Sequence, residues 1–153
     1  MTTGQMRVSL GAAVILLAAA TAHAHVTVAP ESSRGGAVER YTMRVPTEGQ
    51  VTTVAVELEV PPDVIVTSVL VTGGFTYEAR REGNRIVAIM WKMDVKPAEV
   101  AEFVFFARNP ASGRIQWKAH QKFADGTSAD WVGVEGDRRP AAVTKLTAGR
   151  GTQ

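Results

Sequence analysis

Few side chains in this sequence are suited to chemistry. There is no cysteine, so thiolate metal ligands and disulfides are excluded. Three histidines remain, His23, His25 and His120. In the run from Ile115 to His120 apolar and polar residues alternate, and His120 falls on the polar side, so we predict a solvated surface histidine there. His25 is the informative one, because of the residues that precede it.

The N-terminal residues have the three-part pattern of a secretory signal. Arg7 is followed by an apolar run over residues 8–20, and then by Ala22 and Ala24 at the small-residue positions of a cleavage site. The alternative is a membrane anchor, but the run is shorter than the roughly 20 residues that span a bilayer. We therefore predict that residues 1–24 are removed, leaving a periplasmic or secreted protein without a membrane anchor that begins at His25.

A histidine at the first position can chelate a metal by itself. Its α-amine and its imidazole Nδ1 belong to one residue, and both lose their protons near neutral pH. Two nitrogens completed by oxygen ligands suit the tetragonal preference of Cu(II). Any residue can follow a signal, however, so the residue type alone leaves both interpretations open.

The elements that would position His25 are strands. Alternation with a period of two runs through residues 41–45 and 54–60, and runs that are apolar on both faces at 86–91 and 103–107 predict central strands. Turn residues such as Gly73-Gly74 and Asp125-Gly126 separate the runs. We predict an all-β, antiparallel, immunoglobulin- or fibronectin-like β-sandwich of seven to nine strands over residues 25–137, followed by a polar, disordered tail over residues 138–153.

Five blocks of the sequence, in this order and spacing, resemble the YcnI-like copper-binding family. They are HVTVAP at 25–30, YTMRVPTE at 41–48, TTVAVEL at 52–58, FVFFARNP at 103–110 and DGTSADWVG at 125–133. With the signal included, the resemblance covers about residues 10–133. It favours the metal-binding interpretation of His25.

The resemblance implies a single-histidine brace for copper. Carried onto this chain, His25 supplies the two nitrogens, Glu48 supplies an oxygen and Trp131 covers the metal, which would be Cu(II) and could also be held as Cu(I). Without the family, Glu48 would be an exposed turn acid and Trp131 core packing. Glu31 is the reserve carboxylate, and Trp117 is expected in the core with Ile115.

The predicted function is copper trafficking or homeostasis by a protein that is not an enzyme, with other exported or membrane copper-handling proteins as its partners. The near balance of 17 basic and 15 acidic residues argues against a nucleic-acid partner. No nucleophile elbow, phosphate loop or dinucleotide motif is found. Copper oxygenases with a terminal histidine use a second histidine, for which His120 is a poor candidate.

Met43, Met90 and Met93 are expected to pack in the core rather than to bind Cu(I). The alternative is a metal-free β-sandwich that binds a protein or cell-envelope partner.

Overall fold

Alternating apolar and polar residues build twelve strands in the part of the chain that the structure describes. The structure, a computed structural model, describes residues 25–47 and 49–148, and within these ranges it contains no helix. The strands are β1 (Thr27–Ala29), β2 (Ser32–Arg34), β3 (Val38–Pro46), β4 (Thr53–Glu59), β5 (Ile65–Val69), β6 (Thr76–Glu82), β7 (Arg85–Val95), β8 (Val100–Arg108), β9 (Gly113–Trp117), β10 (Ala119–Phe123), β11 (Ser128–Trp131) and β12 (Ala142–Thr147).

The strands form three sheets. A four-stranded sheet has the order β1-β3-β8-β5, a five-stranded sheet has the order β11-β10-β4-β7-β6, and a three-stranded sheet has the order β2-β12-β9. Neighbouring strands in these sheets are antiparallel, apart from the parallel pair of β2 and β12. The predicted all-β, antiparallel sandwich is therefore confirmed.

The strand count exceeds the predicted seven to nine for two reasons. Short strands such as β1 and β2, of three residues each, carry too little alternation to be recognised in the sequence. The run from Ile115 to His120, expected as one strand, also divides at Lys118, because β9 pairs with β12 whereas β10 pairs with β4 and β11.

Large aromatic side chains pack between the sheets. Trp91 of β7 stacks on Phe103 of β8 with ring centroids 5.0 Å apart, which joins the five-stranded to the four-stranded sheet. Trp117 of β9 meets Tyr41 of β3 edge-on at 4.9 Å, which joins the three-stranded sheet to the same core. The predicted central strands β7 and β8 each have a neighbour on both sides in their sheets, as expected.

The predicted boundary at residue 137 is wrong, because the region expected as a disordered tail contributes β12. Thr144 in this strand is fully buried, and its Oγ1 donates to the Pro30 carbonyl at 2.8 Å and accepts from the Trp117 Nε1 at 3.1 Å. These bonds satisfy the hydroxyl in the core, so a segment that looks polar in the sequence is a paired strand. Residues 149–153 lie outside the described residues, as do residues 1–24 of the predicted signal.

Candidate metal centre

His25 is anchored at the start of the first edge strand. It directly precedes β1, which lies at the edge of the four-stranded sheet and pairs with β3 so that Thr27 is opposite Arg44. Val26 and Val28 are buried, at 3% and 2% exposure, whereas Thr27 and Ala29 face solvent. The inward valines hold the strand in register and leave the His25 side chain half-buried at its end.

Trp131 meets His25 from the other sheet. It ends β11, the edge strand of the five-stranded sheet, and is opposite Ala119 of β10. The ring centroids of His25 and Trp131 are 5.6 Å apart with an interplanar angle of 62°, an edge-on arrangement. Trp131 is buried, and its Nε1 donates to the Gln121 Oε1 at 3.1 Å. Two of the three residues expected at the site are thus brought together from opposite parts of the sequence.

The third expected residue, Glu48, lies outside the described residues. Its neighbour Thr47 is buried, with its amide donating to the Glu99 carbonyl at 3.0 Å and its hydroxyl to the Val95 carbonyl at 2.9 Å. On the other side, Gly49 has a φ of 77°, a left-handed conformation that glycine adopts without strain. The backbone that leads to Glu48 is therefore held firmly up to Thr47.

Glu31, the reserve carboxylate, borders the same hollow as His25. This hollow has a volume of about 120 Å³, and Pro140 and Val143 also contribute to its walls. The Glu31 side chain is exposed. Because Glu31 and His25 share a hollow, Glu31 stays a second candidate for the oxygen ligand.

The prediction of a solvated His120 is wrong. Its Nε2 lies 2.6 Å from Glu59 Oε1 and its Nδ1 lies 2.7 Å from Asp130 Oδ1, so both ring nitrogens have carboxylate partners. Partial burial is the largest single effect and lowers the pKa of His120, but the hydrogen bonds to Asp130 and Glu59, together with their charges, raise it above its ordinary value. The carboxylates come from β4 and β11, and only the sheet pairing reveals them.

Most of the remaining aromatic and sulfur side chains follow expectation. Trp117 is 1% exposed and lies in the core, and Met43 and Met93 are buried as well. The prediction that Met90 packs in the core is wrong, because Met90 is half-buried and lies between Glu57 and Glu78 of the neighbouring strands.

Sequence reasoning missed Gln121. Its side chain is 1% exposed and contacts Trp131, Thr53 and the backbone of Pro46. The signal was present in the sequence, since Gln121 continues the inward positions of Trp117 and Ala119. A polar residue at an inward position of a strand calls for buried hydrogen-bond partners.

Within residues 25–47 and 49–148, no group of three or more histidine, aspartate or glutamate side chains converges on a point that could hold a metal. The same described ranges contain no helix of the length and apolar character needed to cross a bilayer. The described side chains around His25 therefore do not by themselves form a preformed cluster of metal ligands.

The comparisons with known proteins agree with this fold and with the sequence blocks. A family model described as "Domain of unknown function (DUF1775)" matches residues 25–146. The copper-binding protein CutI of Bacillus subtilis (strain 168) is 30% identical over 140 residues, covering 89% of this chain and 69% of that protein. The crystal structure of an uncharacterized protein from Nocardia farcinica, with an immunoglobulin-like fold, has a TM-score of 0.71 at 25% identity, covering 81% of this chain and 99% of that chain. The chain therefore belongs to the DUF1775 family, which confirms its resemblance to the YcnI-like copper-binding proteins.

Proposed function

We propose that the processed protein, beginning at His25, binds one Cu(II) ion and serves copper trafficking or homeostasis in the periplasm or outside the cell. The α-amine and the imidazole Nδ1 of His25 chelate the ion, and the carboxylate of Glu48 adds an oxygen. Trp131 covers one side of the metal. Other exported or membrane copper-handling proteins are the partners that would donate or receive the ion.

One observation carries this proposal: the His25 and Trp131 rings pack together at 5.6 Å, at the start of β1 and the end of β11. The pair stands at the edges of two different sheets, where a terminal residue could reach solvent and a metal. The relative CutI is named a copper-binding protein, and the family model begins at His25, the predicted first residue.

The donor set suits copper. Two nitrogens from one residue and a carboxylate oxygen match the tetragonal preference of Cu(II), which also stands highest in the divalent affinity order. The Trp131 Nε1 has no lone pair to offer and already donates to Gln121, so the indole acts as an apolar cover rather than as a ligand. If the ion is reduced, the ring face offers Cu(I) a cation–π contact.

The pairing of β1 with β3 supports Glu48 as the oxygen donor. Thr27 is opposite Arg44, and in an antiparallel pair each step back along β1 matches one step forward along β3. Continuing this register brings position 25 alongside Pro46, two residues before Glu48 in the sequence. Glu31, on the wall of the hollow beside His25, is the rival donor.

Binding rather than turnover is the function we propose. A copper oxygenase of the terminal-histidine type needs a second histidine at the metal. His120 is the remaining histidine of the processed chain, and both of its ring nitrogens are engaged by Glu59 and Asp130.

The proposal depends on cleavage after Ala24, because the His25 nitrogen is an amide in the full chain and an amine only after cleavage. The test compares protein that begins at His25 with a free α-amine and the same protein with that amine blocked by acetylation. Cu(II) affinity is measured by competitive titration, and the ligand set by electron paramagnetic resonance. We expect acetylation to weaken binding by more than about a hundredfold, or ~3 kcal/mol, while the melting temperature stays the same.

Equal affinity of the two forms would overturn the chelate. The absence of tight Cu(II) binding in both forms would instead favour the metal-free, partner-binding alternative.

A further inference from the structure

Gln121 is a buried amide that joins the two sheets beneath the His25–Trp131 pair. It is 1% exposed, and its Oε1 accepts from the Trp131 Nε1 at 3.1 Å. Its Nε2 donates to the Pro46 carbonyl at 2.9 Å and to the Thr53 Oγ1 at 2.7 Å. One side chain thus connects the end of β11 to the end of β3.

The chemistry of these partners determines the orientation of the amide. The Trp131 Nε1 can only donate, and the Pro46 carbonyl can only accept. Turning the amide over would set two donors against each other at Trp131 and two acceptors against each other at Pro46. Among side chains of this size, glutamine is the one that offers both an acceptor and a donor here.

The hydrogen-bonded chain continues beyond Gln121 towards Thr47. The Oγ1 atoms of Thr53 and Thr47 are 2.7 Å apart, and the Thr47 Oγ1 is 2.9 Å from the Val95 carbonyl. A hydroxyl has a single hydrogen, so with that of Thr47 on Val95 the Thr53 hydroxyl donates to Thr47. Every link is buried, and a fully satisfied buried network of this kind is rigid.

We propose that Gln121 is a positioning residue of the candidate site, which holds the Trp131 indole beside His25 and ties it to the Pro46–Thr47 backbone that leads to Glu48. This inference rests on the proposed function. Its consequence is that the Trp131 indole and the Pro46 backbone do not move independently, because one amide is hydrogen-bonded to both.

The molecule contains a matched control for this role. The Trp117 Nε1 donates to the Thr144 Oγ1, also at 3.1 Å and also buried. Both bonds join a buried indole to a buried polar side chain, but Trp117 packs on Tyr41 and Phe105 rather than on His25. Gln121→Met and Thr144→Val each remove the acceptor of one indole and nearly keep the side-chain volume.

The first measurement uses metal-free processed protein labelled with ¹⁵N. The three tryptophans give three indole N–H signals, which single Trp→Phe variants assign. We expect Q121M to shift the Trp131 signal upfield and to speed its exchange with water, and T144V to do the same to the Trp117 signal alone. An unchanged Trp131 signal in Q121M would show that Gln121 does not hold the indole, and it would overturn the proposal.

The second measurement is Cu(II) affinity. We expect Q121M to lower it about fivefold, less than the removal of a group bonded directly to a metal ligand, because Gln121 acts through both the Trp131 cover and the Pro46 backbone. T144V should stay within about twofold of the wild type although its melting temperature falls similarly. An affinity of Q121M within twofold of the wild type, with the Trp131 signal shifted, would show a merely structural role and overturn the proposal.

Two other results, a Q121M variant that does not fold and a wild type that binds no copper, also have a defined meaning. If Q121M does not fold, Thr53→Val replaces it, because it removes one acceptor of the Gln121 amide and keeps its volume. We then expect about threefold weaker binding, and unchanged binding would overturn the proposal. If the wild type itself binds no copper, the proposed function fails and this role of Gln121 fails with it, whereas failure in the variants alone leaves the proposed function intact.

Discussion

Adjacent residues of β11 meet the two histidines that follow residue 24. Asp130 faces outward and lies 2.7 Å from His120, whereas Trp131 faces inward and packs against His25 at 5.6 Å. The alternation of side chains along a strand separates the two environments by one residue. His120 has a carboxylate at each ring nitrogen, and the ring of His25 packs against an indole.

The contrast shows how the neighbours of a histidine decide its chemistry. The carboxylates around His120 favour its protonated form, and its ring bridges β4 and β11 through two hydrogen bonds. Trp131, which packs on the ring of His25, offers no such acceptor, since its Nε1 donates to Gln121. The same residue type is thus a structural bridge at one position and a candidate metal ligand at the other.

Substitution of His25 and of His120 should give the largest difference in Cu(II) affinity between the two regions. In processed protein, His25→Ala removes the imidazole of the chelate, and we expect Cu(II) affinity to fall by more than about a hundredfold, beyond the range for residues behind a ligand. His120→Gln should leave the affinity within about twofold. Competitive titration measures the Cu(II) affinity of both variants. A large loss of affinity in His120→Gln would contradict the proposal that His25, and not His120, is the metal ligand.

The carboxylate of the site gives the next largest effect. Glu48→Gln removes the negative charge and keeps the shape, so we expect about tenfold weaker Cu(II) binding, or ~1.4 kcal/mol, with an altered resonance spectrum. Glu31→Gln is the matched control, because Glu31 lies on the wall of the hollow beside His25. If Glu31→Gln weakens binding and Glu48→Gln does not, Glu31 is the ligand.

Substitution of Trp131 and of Trp117 should distinguish the tryptophan that covers the metal from the one that packs in the core. Trp131→Phe should abolish most copper-dependent quenching of fluorescence while keeping affinity within a few-fold, because the nitrogen and oxygen ligands survive. Trp117→Phe should retain the quenching and lower the free energy of unfolding by roughly 2 kcal/mol, through lost packing and the lost hydrogen bond from Trp117 to Thr144. If Trp117→Phe abolishes the quenching and Trp131→Phe does not, Trp131 is not the residue that covers the metal.

The smallest expected effect is the pH dependence of stability at His120. Its pKa is raised above the ordinary 6.5, so its contribution to stability is fully present below pH 6.5 and is lost as the pH rises through the folded-state pKa. We expect the free energy of unfolding of the wild type to be higher than that of His120→Gln by less than about 1 kcal/mol near pH 6. At high pH the two proteins should be equally stable.

Urea unfolding of the two proteins between pH 5 and 9 measures this difference. A stability difference that grows with pH would contradict the stabilisation of protonated His120 by Glu59 and Asp130.

Local pattern predicted most of the sandwich and part of the site. Alternation identified strands such as β3 and β4, and it set Trp117 inward with Ile115, as the structure has them. The pattern failed at β12, where the buried Thr144 is satisfied by Pro30 and Trp117, and at His120, whose partners lie on other strands. In both cases a polar side chain is paired across the fold, and pairing at that distance leaves no mark in the neighbouring residues.

The sequence by itself determined the class of fold, the family and the identity of His25 as the histidine to consider, because strand periodicity and block order are local properties of the chain. Only the tertiary structure decided which side chains meet. It set Trp131 against His25, clamped His120 between Glu59 and Asp130, and joined Gln121 to Pro46 across 75 residues of sequence. The physical reason is that strand register is set by the packing of whole sheets, and a shift of one residue would turn each of these side chains to the other face.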